Sequence, residues 1–158
     1  MARLNKWGVA AVAVAGMAAL ATVAAAQDKA AVVKARQDFM KAQAADTKVI
    51  RDYANGMAAK ADAEKAIADL QLRNGAILKQ LVPGTSTAEL PGVSFAKPAA
   101  FTDRAKLEAI IANLKAIEDR TAAVIKTGTP EEAGMAGAEI GRDGCAACHN
   151  TYRERRSA

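Results

Sequence analysis

The sequence predicts an all-α protein, an antiparallel up-down-up-down four-helix bundle. Alanine is abundant after residue 26, and glycine and proline collect in a few short stretches, which indicates long helices separated by loops. Apolar side chains recur at steps of three and four residues, with no competing strand-like alternation. Helices with one apolar face must bury it against a neighbour, and four such helices in sequence most simply form this bundle.

The first 26 residues are typical of an export signal. Arg3 and Lys6 give a basic start, an uncharged run of Ala, Val, Leu and Met follows from Trp7 to Val23, and three alanines then offer a cleavage site. A transmembrane anchor is the alternative, but the run is Ala-rich and only marginally long enough to span a bilayer. We therefore expect a cleaved secretory signal at residues 1–26, a single domain at residues 27–158, and a periplasmic protein without membrane attachment after cleavage.

The charge of the mature chain excludes a nucleic-acid partner. Loss of Arg3 and Lys6 lowers the basic count from 22 to 20, against 17 acidic residues, so the net charge is about +3. No basic cluster is interleaved with aromatic side chains, and the short run Arg153, Arg155 and Arg156 is typical of a solvated helix end.

The first two predicted helices lie before residue 82. The first runs from about Asp28 to Asn55, and Gly56 marks its end. The second runs from about Asp62 to Leu81 and stops at Pro83-Gly84. Residues 83–100 hold too much proline and glycine for regular structure and predict a long surface connection.

The last two predicted helices follow this connection. Thr102 resembles the N-cap of the third helix, which ends at Gly128. Thr129 and Pro130 then form the cap and first-turn proline of a fourth helix that continues to about Arg155.

The fourth helix carries the pattern Cys145-Ala146-Ala147-Cys148-His149. This spacing is the attachment motif for one covalently bound haem c, in which two thiols add to the haem vinyl groups and the histidine binds the iron from the proximal side. A thioredoxin-like redox pair is the alternative, but that pair requires an α/β setting. A zinc site is weaker still, because Cys145, Cys148 and the only histidine supply just three ligands.

Met40 is the predicted sixth ligand of the iron. The fourth helix of such a bundle ends where the first begins, and Met40 on the first helix lies at a level similar to that of His149. Met57 and Met135 lie about 20 Å or more from this level at 1.5 Å per helical residue. Packing of Met40 against the haem without ligation is the alternative.

Three further residues are predicted to contact the haem. Arg36, one turn before Met40, is placed to reach a propionate, with a solvated arginine as the alternative. Arg153, one turn after His149, is placed to act on the proximal imidazole or a propionate. Tyr152 is predicted to pack on the proximal side of the haem.

The mature chain resembles the class II c-type cytochromes, the cytochrome c′ group of periplasmic four-helix bundles. The resemblance runs from Ala35-Arg36-Gln37-Asp38-Phe39-Met40 to the attachment motif with Tyr152 and Arg153 behind it. Phe101 departs from the tryptophan that many members have before the third helix. In this group the position of Met40 faces the distal side of the haem, and a methionine there implies the low-spin branch.

We therefore expect a mono-haem electron carrier with His149 and Met40 as iron ligands, redox partner proteins in the periplasm, and no enzymatic activity. The alternative is a five-coordinate, high-spin cytochrome c′ that binds nitric oxide or carbon monoxide. The resemblance also implies a homodimer formed through the first two helices. Peroxidase or thiol oxidoreductase activity is disfavoured, because no distal histidine exists to act as an acid or base.

Overall fold

The computed structural model describes the backbone of residues 8–155 and the side chains of residues 28–155. Its regular elements are all helical, and the predicted all-α bundle is confirmed. The elements are α1 (Gly8–Ala54), α2 (Lys60–Asn74), a 3₁₀ turn (Ile77–Gln80), α3 (Ala99–Thr102), α4 (Arg104–Thr127), α5 (Pro130–Glu139), a π-helical segment (Ile140–Cys145) and α6 (Ala146–Tyr152).

Helix α1 begins well before the expected Asp28. The Ala-rich run that precedes this residue has high helix propensity, and the helix runs through it without interruption. The basic start of the predicted signal, Arg3 and Lys6, lies outside the described residues, and cleavage after residue 26 stays a prediction. Within the described side chains, no helix is both long and apolar enough to cross a membrane.

Helix α2 ends at Asn74, earlier than the predicted Leu81. Gly75 follows directly, and the chain then tightens into the 3₁₀ turn. The side chain of Asn74 is buried and donates a hydrogen bond to Glu118 on α4. The helix therefore ends at a buried polar residue followed by glycine, and the apolar pattern through Leu81 did not indicate this end.

The connection between α2 and α4 is irregular, as predicted, but parts of it are buried. Thr85, Ser86 and Ser94 are each at most 2% exposed. The connection also pairs with the end of the fourth helix: the Lys97 N–H donates to the Tyr152 carbonyl and the Glu154 N–H to the Phe95 carbonyl, both at 2.8 Å. This pairing ends α6 at Tyr152 rather than at Arg155.

The start of α4 differs from the prediction, and the start of α5 agrees with it. Thr102 is the last residue of the short helix α3, and Asp103 occupies the N-cap position of α4 instead. At α5, the Thr129 hydroxyl accepts from the Glu132 N–H while the Glu132 carboxylate accepts from the Thr129 N–H, at 3.2 and 2.8 Å. This capping box, with Pro130 behind it, confirms the predicted boundary.

Two clusters of buried side chains hold the molecule together. Helix α1 packs on α2 and α5, and α4 packs on the same two helices from the other side. The main core between them includes Ile50, Leu70, Leu114 and Ile125. A smaller cluster of Ala100, Leu107 and Tyr152, with Phe101 and Cys148 against it, closes the end of the bundle that carries the attachment motif.

Candidate haem attachment site

The attachment motif comes directly after the π-helical segment of the fourth helix. Cys145 is the last residue of that segment, and Cys148 and His149 lie in α6. Cys145 packs against the main core, whereas Cys148 packs against the smaller cluster. The two thiols therefore lie one turn apart along the seam between the two clusters, with His149 next to them.

Burial keeps the groups of the motif in their neutral forms. It raises the pKa of both thiols, and the nearby charge of Glu118 raises that of Cys145 further. Burial, and then the positive charge of Arg153, lowers the pKa of the His149 imidazole. A neutral imidazole is the form that binds iron, and thiols with raised pKa values do not fit a redox-active pair.

His149 lies beside an open cleft that is rich in cationic side chains. A cleft of about 580 Å³ borders the imidazole. Its lining residues are Lys97, His149, Asn150, Arg153, Glu154 and Arg155. Tyr152, by contrast, is 3% exposed, belongs to the smaller cluster, and donates a hydrogen bond of 3.3 Å to the Asp103 carboxylate. The charge of Arg153 therefore lowers the pKa of His149, whereas Tyr152 packs in the smaller cluster and does not line the cleft.

Two glycines fix the register of α1 against the fourth helix. A Cβ on Gly137 would lie 2.8 Å from Cγ2 of Ile50, and a Cβ on Gly134 would lie 2.7 Å from Cβ of Ala54. The two helices therefore run antiparallel at close distance. Ten residues back from Ile50 along α1 is Met40, and ten residues on from Gly137 is Ala147, so counting along the two helices puts Met40 near the level of the motif.

Gln43 on α1 lies near the level of the attachment motif, and it was not predicted from the sequence as a site residue. Seven residues back from Ile50, it is level with Gly144, which precedes Cys145. It is 7% exposed, yet its side-chain Nε2 has no hydrogen-bond partner among residues 28–155. The only signal in the sequence was a polar residue at an inward-facing position of the first helix.

Arg36 lies at the same end of α1, but its guanidinium is engaged by the connection. Nη1 donates to the Thr85 hydroxyl at 2.8 Å, and Nη2 donates to the Thr85 carbonyl at 2.8 Å and the Ser94 hydroxyl at 3.0 Å. A longer contact of 3.4 Å joins Nη1 to the Gln80 carbonyl. The group also lies 5.7 Å from the centre of the Phe101 ring. The alternative of a solvated arginine is wrong, because the side chain is buried.

The side chains fit a haem at this position. The donor set consists of two free thiols and a neutral imidazole, and the unpartnered amide of Gln43 lies at the same level of the bundle. A zinc site does not fit, because no cluster of three or more metal-binding side chains occurs among the described side chains. When bound, the haem would supply the iron on which redox and ligand chemistry take place.

Comparisons with known proteins agree with this assignment. The family model described as Cytochrome C′ matches residues 31–153. A solved cytochrome c′ from Rubrivivax gelatinosus is 27% identical, with a TM-score of 0.62, and the match covers 78% of this chain and 94% of that one. A cytochrome c′ from Rhodobacter Spheriodes is 23% identical, with a TM-score of 0.70 and coverage of 81% and 98%.

A third similar structure contains a bound gas. It is a ferrous variant of cytochrome c prime from Alcaligenes xylosoxidans with bound NO, 20% identical, with a TM-score of 0.65 and coverage of 79% and 94%. Comparison with curated proteins gives no match.

The family match overturns one expectation. Cytochromes c′ hold a high-spin, five-coordinate haem that binds NO or CO, so the prediction of a low-spin electron carrier with His149 and Met40 as ligands is wrong. The error has a physical cause: a methionine at the correct level can either bind the iron or pack beside it, because three rotatable bonds leave its sulfur position open.

The attachment motif lies inside the matched range, and proteins of the matched family carry a covalently bound haem c, which the spacing of Cys145 and Cys148 fits. The family model also covers most of the chain, from α1 to the residue after α6. The chain therefore belongs to the cytochrome c′ family.

Proposed function

We propose that this protein binds nitric oxide or carbon monoxide at a five-coordinate, high-spin haem c. Cys145 and Cys148 hold the porphyrin, and His149 is the single protein ligand of the iron. The observation that carries the proposal is the Cytochrome C′ family match over residues 31–153. A structural relative with bound NO supports the choice of ligand class.

In this proposal, Met40 packs on the distal face of the haem without binding the iron. Its side chain is half-buried at the level of the motif, and an apolar, flexible thioether fills space beside the iron while excluding water. A small uncharged diatomic ligand loses little hydration on entering such a site, whereas larger or charged ligands lose much more. The distal residue thus favours NO and CO over anions.

On the proximal side, Arg153 places a positive charge beside the His149 imidazole. This charge limits how much electron density the imidazole gives to the iron, and so contributes to the ligand affinity and the potential. Lys97 and Arg155 add positive charge along the same cleft and could pair with a haem propionate there. Arg36 has only Nε left to meet a propionate, because the connection engages its other donors.

We further propose that residues 1–26 are removed on export and that the mature protein acts in the periplasm as a homodimer. The basic, Ala-rich start of the chain supports export, and one structural relative undergoes a ligand-controlled dimer dissociation. Redox partner proteins keep the iron ferrous. We expect no enzymatic turnover, because His149 is the chain's only histidine and is committed to the iron, which leaves no distal acid or base.

The decisive experiment is an optical and electron paramagnetic resonance study of the purified holoprotein. We expect a high-spin ferric spectrum, and a ferrous spectrum that changes on addition of CO or NO. Met40→Leu should keep the iron high-spin and change only the rate of CO binding, since it replaces one apolar distal side chain by another. A low-spin ferrous spectrum that CO leaves unchanged would exclude the proposal.

A further inference from the structure

A buried carboxyl group lies in the bundle core close to the attachment motif. Glu118 on α4 is 1% exposed, and its neighbours on the buried face of that helix are Leu114, Ile117 and Thr121. Acidic side chains are almost never buried to this extent unless they are paired. The function proposed above assigns no role to this group.

The only hydrogen bond to the Glu118 side chain among the described residues comes from an uncharged group. Nδ2 of Asn74, itself 3% exposed, donates to Oε1, and Oδ1 of the same asparagine has no hydrogen-bond partner in the described part of the chain. The lysine one turn away on α4, Lys115, forms its ion pair with Asp119 at 2.6 Å instead. A carboxylate at this place is therefore incompletely stabilised, and burial raises the pKa of Glu118.

Glu118 is also close enough to Cys145 to act on its thiol. The negative charge of Glu118 contributes to the raised pKa of Cys145, and Cys145 packs against the same core as Leu114 and Ile117. The carboxyl group therefore lies near the thiol that would hold one edge of the haem. Charges interact more strongly in the protein interior than in water, so a change of one unit charge at a haem bound to Cys145 would alter the proton affinity of Glu118.

We propose that Glu118 is a redox-linked proton acceptor of the haem. When a one-electron donor reduces Fe(III) to Fe(II), the Glu118 carboxylate takes up one proton from solvent and becomes a carboxylic acid. Oxidation removes the electron from the iron and returns the proton to solvent. The net charge of the buried site therefore stays the same in both states, which avoids an uncompensated charge in the core.

Few other groups bear on Glu118 from the elements packed around it. Asn74 faces it from α2, and Cys145, a thioether in the holoprotein, faces it from the π-helical segment. Lys115 and Asp119 lie on its own helix, and Tyr53 on α1 lines the same core. On α5, Glu139 points outward to pair with Arg120 at 2.8 Å.

The test is a redox titration of the holoprotein over a range of pH values. We expect the potential to fall as pH rises above the ordinary carboxyl range, by up to ~59 mV per pH unit, which is a tenfold change per unit for one electron and one proton. Glu118→Gln keeps an acceptor for Asn74 but cannot titrate, and should abolish this slope. Asp119→Asn removes the neighbouring exposed carboxylate and should leave the slope unchanged.

A second measurement tests the same group directly. Reduced-minus-oxidised infrared spectra should contain the carbonyl stretch of a protonated carboxylic acid, and Glu118→Gln should lack it. Asn74→Leu removes the donor that favours the carboxylate, so the sloping region should move to higher pH. An unchanged slope in Glu118→Gln would overturn the proposal. This outcome is independent of the coordination number, which the optical spectra of the same samples report.

Discussion

At the residue scale, the most consequential side chain outside the motif is Arg36. Four of its hydrogen-bond contacts join α1 to residues 80–94, and its guanidinium lies beside Phe101. Its burial lowers the pKa of the guanidinium below the ordinary value. A single residue thus holds in place the irregular connection between α2 and α4, which is rich in proline and glycine. This connection in turn covers the end of the bundle that carries the attachment motif.

Replacing Arg36 should therefore destabilise the holoprotein strongly. We expect Arg36→Ala to lower the free energy of unfolding by about 3 kcal/mol, because buried hydrogen-bond acceptors lose a charged donor. Arg36→Lys should recover little, since an ammonium group cannot reproduce the fork of the guanidinium. Chemical denaturation measures the free energy of unfolding of both variants.

The exposed Arg51 on the same helix is the matched control, and Arg51→Ala should change the free energy of unfolding by no more than about 0.5 kcal/mol. Equal effects at the two positions would contradict this account.

Features whose residues lie close together in the sequence could be predicted correctly at this scale. The haem motif and the cap at Thr129 and Pro130 depend on spacing within a few residues, and the sequence alone was enough for both. Arg36 and Glu118 depend on partners 49 and 44 residues away. A charged residue next to an apolar one, such as Glu118 after Ile117, is typical of a surface position, and only the packed structure identifies it as buried.

At the scale of elements, the close approach of α1 and α5 sets the level of the haem site. The helices touch where Gly137 faces Ile50 and Gly134 faces Ala54. Small residues are required here because a side chain on either glycine would enter the neighbouring helix. The interhelical distance therefore depends on these two positions.

We expect Gly137→Ala to destabilise the protein by about 1–3 kcal/mol, the usual range for overpacking. The added Cβ would lie 2.8 Å from a branch of Ile50, which a β-branched side chain cannot easily rotate away. Gly141 is the matched control, because no atom of the described residues outside its own helix turn lies within 4 Å of a Cβ there. Gly141→Ala should be neutral or stabilise by about 0.5–1 kcal/mol. Thermal unfolding of both variants measures the difference, and a Gly137→Ala variant as stable as the parent would contradict the packing argument.

The π-helical segment could not be predicted from the sequence. Residues 140–145 continue the apolar and small-residue pattern of the fourth helix, and that pattern predicts a continuous α-helix to the motif. A π segment widens the turn and rotates the residues on its C-terminal side about the helix axis. Gly144 allows the wide turn to approach α4, since a Cβ there would lie 2.5 Å from Cδ1 of Leu114. The orientation of the cysteines thus depends on tertiary contacts.

At the scale of the whole molecule, the fold class and the family were accessible from the sequence, but the iron coordination was not. Helical periodicity and the proline-rich connection determine an all-α bundle, and one motif identifies the cofactor. Whether Met40 binds the iron depends on how closely its sulfur approaches the metal, and the flexible side chain allows more than one position. No pattern of residue types fixes such a distance, so the sequence favoured the wrong branch of the family.

The stability of the whole molecule should fall with rising pH because of Glu118. Its pKa is raised in the folded state, so the unfolded chain loses this proton at lower pH than the folded protein does. The contribution of Glu118 is therefore most favourable below the ordinary carboxyl range and is lost as pH rises through the folded-state pKa.

We expect Glu118→Gln to raise the free energy of unfolding of the oxidised protein at neutral pH by about 1–3 kcal/mol, the range for an incompletely satisfied buried polar group. This difference in the free energy of unfolding should become smaller as the pH falls below the ordinary carboxyl range. Denaturant titrations at acidic and neutral pH measure the difference. If Glu118→Gln raised the free energy of unfolding equally at both pH values, ionisation of Glu118 would not be the cause of the increase.

The pairing of residues 95–97 with residues 152–154 forms a clasp that also bears on biosynthesis. These segments are separated by 55 residues, from Lys97 to Tyr152, and the cysteines lie between them in the chain. In the export proposed above, the clasp could close only after residues 145–149 have emerged from the translocation channel. Before the clasp closes, the two thiols are more accessible for thioether formation, and its closure would then cover the end of the bundle that carries the attachment motif.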